Sequence, residues 1–160
     1  MKTLRACDLM QTNVVTVGPD LPLAEFEHLL SREGISGVPV VESGGLVGVV
    51  SRTDVVRALE QATGSAEATL TYYREVSGAA SDAGAVARMA GEHAAAMRVR
   101  DIMTTELVSV PADQPVREIA RDLLARGLHR VLVTEGRRLL GLVTTVDLVR
   151  AIAEGRLVES

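Results

Sequence analysis

The chain has 160 residues, a formal net charge of −4, 47% apolar residues and only 2% aromatic ones, so its core must be built from Val, Leu, Ile and Ala. A single cysteine, Cys7, excludes an intramolecular disulfide and points to a reducing compartment. The opening Met1-Lys2-Thr3-Leu4-Arg5 lacks a long apolar run and no stretch approaches 18 apolar residues, which argues against a signal peptide or membrane span and for the cytoplasm.

The first elements in chain order are a short lead, Leu4–Met10, and a β-rich run, Val14–Val17. Gly18-Pro19-Asp20-Leu21-Pro22 then carries turn chemistry, with an aspartate ahead of a proline suited to a first helical turn. Over Leu23–Arg32 the residues Phe26, Leu29 and Leu30 recur at helical spacing, and Gly34 suits a C-terminal stop. Two short strands, Val38–Val41 and Leu46–Val50, are separated by Glu42-Ser43-Gly44-Gly45 and read as a hairpin. A final helix starts near Ser51 and runs through Leu59.

The same order returns 93 residues later. Residues 4–59 fall on 97–152 without a gap and share 21 of 56 positions, among them Asp8/Asp101, Asp20/Asp113 and Asp54/Asp147. The second lead is Met97–Met103, the second β-rich run Leu107–Val110, and the second helix Val116–Arg126 with Ile119, Leu123 and Leu124 at helical spacing. Its hairpin is Val131–Thr134 with Leu139–Val143, and its last helix runs from near Thr144 through Ile152. A fixed long period is the mark of units that need each other's apolar faces, and a unit of about 60 residues would be marginal alone. The expected organisation is repeat 1 over 4–61, an Ala-rich helical insert over 62–96, and repeat 2 over 97–155. The insert holds 12 alanines, 4 glycines, Tyr72 and Tyr73, with a helix expected over Ala66–Val76 and a cap for a second at Ser81-Asp82. It reads either as a tolerated surface insertion or as a dimer contact.

Each copy ends alike: Gly48-Val49-Val50-Ser51-Arg52-Thr53-Asp54 and Gly141-Leu142-Val143-Thr144-Thr145-Val146-Asp147. A hydroxyl where strand becomes helix, with a carboxylate three residues later, is close to a capping box. A glycine within the strand marks the close approach of a ligand or another backbone. The same geometry also suits a nucleotide, since a helix start offers N–H groups to phosphate and a carboxylate accepts two ribose hydroxyls. Both readings fit the motif taken alone.

The repeated β-α-β-β-α order, the Asp-Leu-Met and Asp-Ile-Met leads and the two Gly-h-h-Ser/Thr-x-x-Asp endings resemble a tandem pair of cystathionine-β-synthase-type (CBS) domains over 112 of the 160 residues. The resemblance implies an α/β fold of two repeats packed sheet to sheet around a pseudo-twofold axis. It further implies a regulatory module whose two clefts take adenosyl ligands: AMP, ADP, ATP or S-adenosylmethionine. Carried over, Asp54 and Asp147 hold ribose hydroxyls, and Ser51 and Thr144 contact ribose or phosphate with Thr53 and Thr145 nearby. Val38, Pro39 and Val40, with Val131, Leu132 and Val133, wall the adenine pocket, and Val15, Thr16, Val108 and Ser109 line the opposite side. His129 and Arg130 replace Ser36 and Gly37 of the first copy and resemble phosphate-contacting residues. Members of this family also serve regulated partner proteins, and a ligand-free interaction or dimerisation module is the alternative reading.

No metal-ligand spacing and no nucleophile or P-loop motif is present, so a catalytic or metal site is not expected; His28 and His93 read as helix-surface residues. The acidic balance speaks against nucleic acid as the main partner, and the ten arginines set against nine carboxylates over 97–160 read as a solvated surface. A homodimer is expected, because Val55, Leu59, Leu148 and Ile152 would otherwise lie on open helix faces.

Overall fold

A computed structural model describes residues 3–64, 91–92 and 94–157. The helices expected over Ala66–Val76 and beyond Ser81-Asp82, both tyrosines and His93 lie outside the described residues. The elements are α1 (Ala6–Leu9), α2 (Leu23–Glu33), β1 (Gly37–Glu42), β2 (Gly45–Ser51), α3 (Arg52–Thr63), α4 (Val99–Ile102), β3 (Ser109–Pro111), α5 (Val116–Arg126), β4 (Arg130–Glu135), β5 (Arg138–Thr144) and α6 (Thr145–Ala153). The fold is mixed α/β, with β1-β2 in one sheet and β3-β4-β5 in another.

The chain forms two compact units that do not follow the order of the repeats. Among the described residues one comprises 3–15, 43–46 and 106–157; the other comprises 16–42, 47–64, 91–92 and 94–105. The lead of each copy is therefore built into the body of the other. In the first unit Arg5 bridges to Pro115 and Gln11 to Leu142, and in the second Arg98 bridges to Pro22 and Thr104 to Val49. Backbone polarity drives the exchange: the N–H of Val116 donates to Leu4 O at 2.9 Å and that of Leu23 to Met97 O at 3.1 Å, so each lead satisfies a donor that a helix start cannot satisfy internally. The leads are themselves closed by their shared carboxylates. Arg5 N–H donates to Asp8 Oδ2, and Arg98 N–H to Asp101 Oδ2, each at 2.8 Å.

In the first unit β3 pairs in parallel with β4, and β4 runs antiparallel to β5. Alternation along β4 sends Val131 and Val133 into a core with Ala6, Val110, Val116, Ile119, Leu123, Val143 and Leu148. The first-copy run Val14–Val17 makes a bridge, Val17 to Val40 within the second unit, instead of a regular strand. The reason is Pro39: its counterpart Leu132 donates its N–H to Val108 O, and proline has none to donate.

Both long helices end as their sequences require, at Gly34 and Gly127 in the left-handed conformation, φ 64° and 63°. Their starts differ from expectation. Pro22 and Pro115 occupy the N-cap rather than the first helical turn, and Asp20 accepts from the Arg100 guanidinium at 2.6 and 2.8 Å instead of capping α2. Leu124, at core spacing by sequence, is 84% exposed. The helix faces expected to be open are also redistributed: Val55, Leu59 and Leu148 are buried, while Val146, Val149 and Ile152 stand out from α6.

Candidate ligand site

The motif endings fold as two equivalent strand-to-helix turns. Ser51 is the N-cap of α3 and Thr144 that of α6, both in extended backbone, and each is followed at the third helical residue by its aspartate. Asp54 Oδ2 accepts from the Ser51 N–H and Oγ–H, both at 2.8 Å. Asp147 Oδ2 accepts from the Thr144 N–H at 2.8 Å and its Oγ1–H at 2.7 Å. Return bonds from the aspartate N–H to the hydroxyl close both capping boxes at 3.4 and 3.3 Å. The shorter side chain suffices because the strand already brings the cap amide within its reach. One carboxylate edge in each copy is thus committed to the helix start, and Oδ1 meets the arginine three residues on, Arg57 at 3.4 Å or Arg150 at 3.3 Å.

The strand glycines have a packing role. A Cβ at Gly48 would lie 2.9 Å from Met103 Sδ and 3.0 Å from Thr104 O, and one at Gly141 would lie 2.7 Å from Gln11 O. The close approach that the sequence signals at these glycines is that of the exchanged lead.

Within the first unit, β4 and β5 bring Arg130 opposite Thr144, and β3 brings Ser109 opposite Leu132. Thr145 N–H donates to His129 O at 3.0 Å, so His129 and Arg130 sit beside the α6 start. Val131 and Val133 do not belong with them: their side chains are core, and Val108 packs against that core, leaving Leu132 and Ser109 on the other face of the strands. In the second unit Val38 and Val40 are buried in the same way, and Pro39 takes the place of Leu132. Thr53 is exposed on the first turn of α3, and Thr16 is exposed beside Val17. Val15 falls within the first unit. Arg52 N–H donates to Ser36 O at 2.9 Å, matching the Thr145–His129 bond. Gly37 leaves no room for a side chain, since a Cβ there would meet Val50 O at 2.9 Å.

The copies differ at two places that motif reading passes over. Gln11 Nε2 donates to both Asp147 oxygens, at 3.0 and 3.1 Å. Its counterpart 93 residues on is Thr104, which is too short to do the same for Asp54. The second is Glu27, fully buried, with Arg52 Nε 3.6 Å away. Exchange of the leads hides Gln11 from any scan of one repeat, because it reaches a motif in the other. No described helix is long and apolar enough to cross a membrane.

Two matched cap-and-carboxylate turns, one on each repeat, define a tandem-repeat α/β protein. The CBS domain family model matches residues 6–61 and 99–154, and the chain belongs to that family. The fold is similar to the CBS domain pair of protein MJ0100 in complex with 5′-methylthioadenosine and S-adenosyl-L-methionine (TM-score 0.64, 18% identity, 96% of this chain and 99% of that one). It is also similar to CBSX2 in complex with AMP (TM-score 0.67, 24% identity, 96% and 98%). A zinc metalloprotease of Methanocaldococcus jannaschii is 27% identical over 95% of this chain. The chain spans about a third or less of the length of the curated relatives it matches.

Proposed function

We propose that this chain is a regulatory CBS-pair module that binds an adenosyl ligand, AMP, ADP, ATP or S-adenosylmethionine, and signals by a change of conformation or association to a regulated protein. The observation that carries the reading is the Asp54 turn. One carboxylate oxygen anchors the helix start, and among the described residues the other meets the exposed Arg57 at 3.4 Å. That edge presents an ionised acceptor to a ribose diol beside the N–H groups of a helix start, which favour phosphate. The adenosyl ligands named for two proteins of the same fold support the choice of ligand class. Ligand would act by favouring the arrangement of the chain that it binds better. Catalysis is not part of this role.

Self-association into a homodimer is a second element of the reading, favoured by the open apolar side chains of α6. A thermal-shift screen against AMP, ADP, ATP, S-adenosylmethionine and NAD tests the proposal. A ligand present at 100 times its Kd raises stability by about 2.7 kcal/mol. If none of the adenosyl ligands moves the transition, the ligand-free interaction module is the correct reading.

A further inference from the structure

We infer that Gln11 closes the second of the two carboxylates, so that each chain takes one adenosyl ligand, at Asp54, and not two. The inference rests on the reading above that the carboxylate edge receives a ribose diol. A diol binds a carboxylate by donating two hydroxyl protons to it. In the second copy the Gln11 amide already donates to both oxygens of Asp147, at 3.0 and 3.1 Å, in addition to the two Thr144 donors and Arg150. A carboxylate offers about four lone-pair sites, and these four donor groups, making five hydrogen bonds, fill them. The side chain of Asp147 is correspondingly 3% exposed, against 12% for Asp54.

The contrast arises from one side chain and not from a different backbone. Gln11 exchanges backbone bonds with Leu142 at 2.8 and 3.0 Å, and Thr104 exchanges the equivalent pair with Val49 at 2.9 and 2.8 Å. The two leads therefore enter their sheets in the same register. Only the identity of the residue at that register decides whether an amide lies on the carboxylate. A ribose at Asp147 would have to displace two hydrogen bonds to a charged group, and a ribose at Asp54 displaces no such amide.

The test is calorimetric stoichiometry with AMP as the probe and 2′,3′-dideoxy-AMP, which lacks the diol, as the control. Wild type is expected to bind one AMP per chain and to lose that binding in Asp54→Asn. Gln11→Thr, which installs the residue of the other copy, is expected to bind two per chain. Asp147→Asn in the Gln11→Thr background returns the count to one, and Gln11→Ala serves as a second opening variant should threonine perturb the lead. The new site should be at least about tenfold tighter than any residual second binding in wild type, a difference readily resolved in Kd. Two sites in wild type, or one site in both Gln11 variants with unchanged circular dichroism, overturn the role of Gln11 while leaving the ribose reading standing. Equal binding of AMP and the dideoxy control removes the ribose reading itself and this inference with it, and no AMP binding by wild type overturns the single AMP site at Asp54.

Discussion

Glu27 and Arg52 form an ion pair that exists in only one of the two copies: the Arg52 Nε lies 3.6 Å from Glu27 Oε2, and Glu27 is 1% exposed. At the corresponding positions the second copy has Ala120 and Thr145, so both partners differ together. A buried carboxylate left without its cation carries a desolvation penalty, whereas replacing both members by residues that fit can be close to neutral.

That asymmetry gives the first prediction. Arg52→Thr alone should destabilise the chain by about 1–3 kcal/mol, the penalty for a buried polar group that loses a partner. The double substitution Glu27→Ala/Arg52→Thr, which copies the second repeat, should recover most of the loss. Urea unfolding of the three proteins measures it; a double variant as unstable as the single one would show that the pair is not a unit.

The strand glycines give the second. At Gly141 an added Cβ would stand 2.7 Å from Gln11 O and 2.9 Å from Met10 Sδ. The methionine can move, but the carbonyl belongs to a backbone pair with Leu142. Gly141→Ala should therefore cost about 1–3 kcal/mol, the usual penalty of overpacking, although alanine is otherwise the better strand residue. Gly18→Ala is the control, since a Cβ there meets nothing within 4 Å. An undiminished unfolding midpoint for Gly141→Ala would mean that the lead is not seated against β5.

How far the sequence reached follows from which signals are local. The duplication, the element order, the helix stops at Gly34 and Gly127 and the N-caps at Ser51 and Thr144 are all encoded within a few residues of where they act, and they could be read directly. The exchange of leads could not, because periodicity says that two segments are alike and not which body each one joins. This is why Gly48 and Gly141 suggested a ligand as readily as a backbone. It is also why Gln11, one lead away from its partner by 136 residues, carried no signal. Strand alternation is local: Val131 and Val133 lie two apart, so both face the core, and Leu132 and its neighbours at 130 and 134 share the other face.

The third prediction concerns association. Val146, Val149 and Ile152 are 61%, 64% and 61% exposed on α6, and a spacing of three keeps them on one side of the helix. Val149→Asp should convert a homodimer to a particle of 17.0 kDa by light scattering. Because the side chain is outside the core, the change in unfolding free energy extrapolated to monomer should stay within about 0.5 kcal/mol. Wild type that is already a single chain at micromolar concentration would remove the dimer from the proposed function.

The last prediction separates the ribose contact from the phosphate contact. Asp54 does two jobs in the proposed function, capping α3 through Oδ2 and offering Oδ1 to the ligand. Asp54→Ala should therefore lower stability by about 1 kcal/mol, the value of a lost cap, and weaken both AMP and adenosine tenfold or more, because each hydrogen bond to a charged group contributes about 1.5–3 kcal/mol. Arg130, at the start of β4 opposite Thr144, is proposed to meet the phosphate of a ligand at the Asp147 turn, which the Gln11→Thr variant opens. In the Gln11→Thr background Arg130→Ala should then weaken AMP and ATP at that second site but leave adenosine there nearly unchanged, and it should flatten the salt dependence of nucleotide binding, since an exposed charge contact is screened by added ions. Titration calorimetry of AMP and adenosine on wild type, Asp54→Ala, Gln11→Thr and Gln11→Thr/Arg130→Ala, at two salt concentrations, reads all of these at once. If Asp54→Ala loses stability yet binds AMP as tightly as wild type, the carboxylate is a helix cap alone. If Arg130→Ala weakens adenosine as much as AMP, the arginine acts on the fold and not on phosphate.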